Sequence, residues 1–163
     1  MQRSRGSHRD PLLHDHGLNT GKEGLRFGGD FVIAAGSGGA GRYTFTGLLQ
    51  KGRRLEWVVN YTDSDNHVYY QLGKDNLHRT EVIKGKKSRT VKIPHNMKWD
   101  DFLSVDITVQ ADSIVHRVLI DDKWVELDNW KQSGSNLTAG KFGFHIPGRD
   151  QVGLSHFAFV PER

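Results

Sequence analysis

The stretch "LEWVVNYTDSDNHVYYQLG", residues 55–73, decides the fold. Along an extended strand, successive side chains point to opposite faces. Leu55, Trp57, Val59 and Tyr61 therefore read as one apolar face, with Glu56, Val58 and Asn60 behind it. A second run, 66–73, follows a cluster of Asp and Ser, residues that suit tight turns. Closing a hairpin through the four residues Thr62–Asp65 sets Leu55 against Leu72, Trp57 against Tyr70 and Val59 against Val68. Every pair on that face is then apolar or aromatic. A five-residue loop would set Trp57 against Gln71 and mix the faces. A one-residue slip turns every side chain over, so the pattern itself selects the register. The opposite face lines up Glu56 with Gln71, Val58 with Tyr69 and Asn60 with His67.

From residue 25 onward the chain repeats this design. Strands are expected at 25–35, 42–49, 54–61, 66–73, 78–83, 88–93, 102–110, 114–120, 123–127, 141–146 and 153–160. Glycine- and aspartate-rich turns separate them. Only 94–101, "PHNMKWDD", leaves room for a short helical turn. Short strands at regular spacing point to an all-β sandwich or barrel. A second hairpin, turning at Ala111 and Asp112, sets Val109 against Ile114 and Val105 against Val118. His116 then falls on the core face opposite Ile107, as a satisfied core histidine. On the other face Asp106 meets Arg117, either as a cross-strand ion pair or as a substrate-facing pair.

Length and composition set the outer bounds. With 163 residues the chain suits a single domain with a substantial core. Cysteine is absent, which excludes a disulfide scaffold, thiolate catalysis and cysteine-ligated zinc. No apolar run reaches the ~20 residues that span a membrane. The net charge of +4 draws on Arg3, Arg5 and Arg9 and on "KGKKSRTVK", residues 84–92. No nucleic-acid motif accompanies that run, so it reads as a lysine-guarded edge hairpin and argues against nucleic acid as the partner. Residues 1–24 are polar and aperiodic. They read as a terminal arm or, given "RGSH", as a remnant of an expression tag. His14 and His16 in that arm have no third metal ligand at a supporting spacing. The sandwich proper is assigned to 25–163.

Candidate chemistry concentrates on the outer face of the opening hairpin. Glu56, Asn60, His67, Tyr69 and Gln71 offer carboxylate, amide, imidazole and one aromatic ring, with few flexible lysines among them. Such groups suit sugar hydroxyls and the apolar face of a sugar ring. The same face could instead be covered by other parts of the chain. For catalysis, a glycoside hydrolase needs two carboxylates roughly 5–10 Å apart. Glu56 and Asp106 meet that need only if their strands are neighbours in one sheet. No Gly-x-Ser-x-Gly elbow is present.

Three stretches carry a resemblance: the opening segment with its Trp-centred and Tyr-Tyr strands, "ITVQADSIVHRVLIDDKWVELDNW", and the closing "GKFGFHIPGRDQVGLSHFAFVP". Together, over about 50–160, they resemble the concanavalin A-like, laminin-G-type jelly roll. More narrowly they resemble bacterial domains described as 3-keto-disaccharide hydrolases, of largely unknown function. The resemblance implies a two-sheet antiparallel jelly-roll sandwich whose concave sheet carries the ligand, here the Glu56/Asn60/Tyr69/Gln71 face. It further implies an oligo- or polysaccharide partner and an extracytoplasmic or secreted setting within a larger protein. The acid triad of jelly-roll glucanases is missing, since "VELDNW" supplies only Glu126 and Asp128. Calcium is common in such sandwiches, and Asp63, Asp65 and Asn66 gather oxygens at one turn, although calcium takes six or more. No other cofactor is expected. Three functions follow as expectations. The first is a carbohydrate-binding or ligand-recognition module using Glu56, Asn60, His67, Tyr69, Gln71 and Arg117. The second is a glycoside hydrolase or lyase acting on oxidised sugars through Glu56 or Asp106. The third is a protein- or polyanion-interaction sandwich.

Overall fold

A computed structural model describes residues 25–27, 29–34, 36–98, 102–147 and 150–163. Residues 1–24, with His14 and His16, read from the sequence as a terminal arm, lie outside the described residues. Among the described residues, thirteen strands form two antiparallel sheets. The six-stranded sheet runs in the order β1 (Leu25–Phe27), β13 (Gln151–Pro161), β3 (Gly41–Lys51), β9 (Leu103–Gln110), β10 (Ser113–Ile120), β11 (Lys123–Lys131). The seven-stranded sheet runs β2 (Gly29–Ile33), β12 (Lys141–Ile146), β4 (Leu55–Asp63), β5 (Asn66–Leu72), β6 (Asn76–Ile83), β7 (Lys86–Lys87), with β8 (Val91–Pro94) also paired to β6. No helix occurs among the described residues, and His95–Lys98 are irregular.

The alternation read from the sequence builds the core. Leu55, Trp57, Val59, Val68, Tyr70 and Leu72 from one sheet meet Tyr43, Phe45, Val105, Ile107, Ile114 and Val118 from the other, all buried. Trp57 is fully buried, stacked on Tyr70 at 6.1 Å and edge-on to Phe45 at 5.5 Å. The register is the expected one from Leu55↔Leu72 to Val59↔Val68. The second hairpin likewise pairs Val109↔Ile114, His116↔Ile107 and Arg117↔Asp106. His116 is a buried core residue whose Nε2 accepts a hydrogen bond from Trp57 Nε1–H at 2.9 Å.

Four details depart from expectation. The run 25–35 is not one strand. Its described residues fall in two strands, β1 pairing with β13 in one sheet and β2 with β12 in the other. The expected strand at 88–93 is replaced by the two short strands β7 and β8, which share the edge of β6. β11 continues past residue 127 to Lys131, with a bulge opposite His116 and Arg117. That bulge turns Asp128 inward, where it takes a 2.5 Å bond from Arg79 of the facing sheet, and Arg79 lies 4.8 Å from the Trp130 ring centre.

The fourth departure matters most for function. The tight turn is Ser64–Asp65, closed by Asp63↔Asn66, and two extra residues bulge from β4 between Val59 and Asp63. Asn60 takes φ +54° there, a left-handed conformation that Asn tolerates better than most residues. The bulge breaks the alternation, so Asn60 is not set opposite His67. It also carries Tyr61 off the core face, and its ring packs against Phe31 and His67 on the outer side.

Candidate functional site

The outer face of the seven-stranded sheet is built from alternate positions of its central strands. Register places Glu56 and Val58 of β4 beside Gln71 and Tyr69 of β5, and these beside His78 and Thr80 of β6. On the other flank, Phe144 opposes Trp57 inward, so the next residue, His145, turns outward and faces Phe31 of β2. Gly143 permits this approach. A Cβ there would lie 2.7 Å from the Val32 carbonyl oxygen and 2.5 Å from the Ile33 side chain.

Glu56 is the hub. Its carboxylate accepts from the Tyr69 hydroxyl, from His145 Nδ1 at 2.7 Å and from Gln71 Nε2 at 2.8 Å. Gln71 Nε2 also lies 3.0 Å from the Tyr69 oxygen, and Gln71 Oε1 accepts from Arg54 at 3.1 Å. Burial pushes the Glu56 carboxyl up, but the bonds from His145, Tyr69 and Gln71 outweigh it and hold it below the usual range. Glu56 is therefore a fixed anion at neutral pH, not a proton donor. The Tyr69 phenol is pushed up by burial and by Glu56, so it keeps its proton and remains a donor. Around this cluster Tyr69 and Gln71 are half-buried, as are Phe31, Tyr61 and His78. Phe31 links His145, Tyr61 and His67 through ring contacts of 4.7, 5.1 and 5.3 Å.

His67 stays on this face, its ring 6.4 Å from that of Tyr69, whereas Asn60, Asp106, Arg117 and Asp63 serve elsewhere. Asn60 fixes the segment 132–140: its Oδ1 accepts from Gly140 N–H at 2.7 Å, and its amide donates to the Asn136 carbonyl at 3.4 Å. Asn60 and His67 line a cleft of about 310 Å³ at the rim of the sandwich, shared with Thr62, Asn136 and Ile83. Asp106 and Arg117 lie on the outer face of the opposite sheet. Asp106 is buried and accepts from Arg42 and, at 3.5 Å, from Arg117. The condition for a Glu56–Asp106 pair, neighbouring strands in one sheet, is not met: the two stand on opposite outer faces of a sandwich whose sheets are themselves about 10 Å apart. Asp63 uses its side chain on its own turn, accepting from Asp65 N–H at 2.8 Å and from the Asn66 amide at 2.9 Å. Among the described residues no group of three or more His, Cys, Asp or Glu is placed to hold a metal.

His145 and Phe31 were not among the sequence candidates. Alternation in "KFGFHI" puts Phe142, Phe144 and Ile146 inward and His145 outward, so the outward direction was readable. Its neighbour was not, because only the sheet order brings β12 against β4.

No protein-family model matches the chain, and no curated protein sequence does. Solved structures do. The carbohydrate-binding module CBM66 from Bacillus subtilis superposes with a TM-score of 0.61 at 14% identity, over 82% of this chain and 83% of that one. The Caenorhabditis elegans galectin LEC-6 gives 0.56 at 10% identity, over 82% and 95%. A GH43 protein of a Bacteroides ovatus xyloglucan locus gives 0.59 at 14% identity, over 84% of this chain and 32% of its own length. The chain thus has the antiparallel jelly-roll sandwich fold of these proteins. The narrower likeness to 3-keto-disaccharide hydrolases finds no match among the families.

Proposed function

We propose that the protein is a carbohydrate-recognition module that holds a glycan on the outer face of the seven-stranded sheet. The observation that carries this is the Glu56 cluster. Tyr69, Gln71 and His145 are held by one buried carboxylate and presented half-buried beside the rings of Phe31 and Tyr61. A site fixed before the ligand arrives loses little side-chain freedom on binding. A few convergent polar groups beside aromatic rings are the usual composition of such a site. The fold neighbours include a carbohydrate-binding module and galectins, which supports the same reading.

Hydrolysis is the weaker reading. Among the described residues, the strand positions of this face hold one carboxylate, and three donors already occupy it. A two-carboxylate mechanism needs a partner, and Asp106 is on the other sheet. Calorimetry and product analysis against a panel of soluble polysaccharides is the test. Tyr69→Ala should weaken binding by about 1–3 kcal/mol, the scale of losing one aromatic anchor, and leave the fold intact. If Tyr69→Ala binds every glycan as the parent does, the site is misplaced. Turnover that vanishes in Glu56→Gln would replace recognition by hydrolysis.

A further inference from the structure

Charge is spread unevenly over this face. His67 opposes Val82, which opposes Lys87, and Gln71 opposes His78, which opposes Lys92. Opposed residues share a face, so Lys87 and Lys92 stand on the side of Tyr69. Lys141 opposes Tyr61, whose ring is on the same side. Arg54, which donates to Gln71, is the fourth cation. Against these four stand the buried Glu56 and, at the turn, Asp63, whose charge acts on His67. Lys87, Lys92 and Lys141 are exposed, and none forms an ion pair among the described residues. On the other sheet and in the core, Arg42 and Arg117 share Asp106, and Arg79 takes Asp128.

Two imidazoles of the face, lowered mainly by burial, also feel these cations. His67 is held below its usual range by burial first, with a smaller push from Lys87, against the backbone bond and the charge of Asp63. His78 is lowered by burial, then by Arg54 and Lys92. The spacing adds a further constraint. Val82 and His78 are four residues apart on β6, which separates their partners Lys87 and Lys92 by about 13 Å at ~3.3 Å per residue. Lys141, on β12, is four strands from β7, or about 19 Å at ~4.8 Å per strand. One anionic group cannot meet cations so widely set, whereas charges repeated along a chain can.

We infer that the glycan is an acidic polysaccharide bearing carboxylate or sulfate groups at intervals, the Lys87–Lys92 edge and Lys141 meeting its charges; this rests on the reading of the face as a sugar-binding surface. The test measures affinity for dextran, dextran sulfate and polygalacturonate at about 50 mM salt and again at about 0.5 M, where exposed charges are screened. One or both acidic polymers should bind tighter than dextran, and salt should erase the preference. Which of the two binds tells sulfate from carboxylate. Lys87→Gln/Lys92→Gln should weaken acidic binding by roughly three- to tenfold, as for two exposed charge contacts, with dextran unchanged. Lys123→Gln/Lys131→Gln, on β11 of the other sheet, should change neither. Dextran bound as tightly as both acidic polymers would overturn the acidic inference and leave the sugar reading standing. Equal losses from the two double variants, or equal competition by single-stranded DNA, would reduce the effect to net charge and also overturn it. Failure to bind any polysaccharide would remove both.

Discussion

His116 gives a pH dependence whose sign follows from its burial and its hydrogen bond to Trp57. Its Nε2 accepts the Trp57 indole N–H, so the single proton of the neutral ring is on Nδ1, which has no partner among the described residues. A second proton would have to enter at Nε2 and break that bond. Burial, with the Arg79 charge behind it, pushes the His116 pKa down to about 3, from the ordinary 6.5. Between those values the unfolded chain carries one more proton than the native one, so stability rises with pH and is lost as pH falls below ~6.5. The slope is about 1.4 kcal/mol per pH unit, which amounts to about 2.5 kcal/mol between pH 7 and pH 4.5. That is a large part of the ~5–15 kcal/mol that holds a domain together. His67, His78 and His95 are lowered too and add in the same direction, so the parent is compared with His116→Gln, which keeps an acceptor but does not titrate. Urea unfolding midpoints from pH 8 to pH 4.5 should fall steeply in the parent and more gently in the variant, by about the slope given. In the parent, the His116 ring carbons should keep their neutral chemical shifts at pH 4.5. Equal slopes, or a His116 that titrates near pH 6, would refute the reasoning.

Three further outcomes follow from the packing. Trp57→Ala removes a fully buried ring between Phe45, Tyr70 and His116 and should cost about 3–5 kcal/mol by chemical denaturation; an unchanged midpoint with lost glycan binding would mean the two faces are reversed. Gly143→Ala forces a Cβ against the backbone of Val32 and should destabilise by about 1–3 kcal/mol, read as a lower Tm. Asn60→Ala loses the acceptor for Gly140 N–H and strains a left-handed position. It should cost about 2 kcal/mol, with faster proteolytic nicking near 132–140, and Asn60→Gly should recover only the backbone part.

Period-two alternation determined a great deal by itself. Leu55, Trp57 and Val59 could bury their side chains only if they met Leu72, Tyr70 and Val68, and one register alone does that. The same logic placed His116 in the core and paired Asp106 with Arg117. Sequence also put Glu56, Tyr69 and Gln71 together, because hairpin neighbours are local in the chain. What it did not supply is anything that depends on breaks in the alternation or on sheet order. The bulge at Asn60 turns Tyr61 to the outer face, and β1 and β2, close in the chain, belong to different sheets. His145 reaches Glu56 from 89 residues away because β12 inserts beside β4, and Asp106 is excluded because β9 joins the other sheet. Lys92 and Lys141 come to flank one face for the same reason. Alternation is a property of a single strand and is written in neighbouring residues, whereas the order of strands is set by the burial of the whole sandwich, so only the tertiary structure decides it.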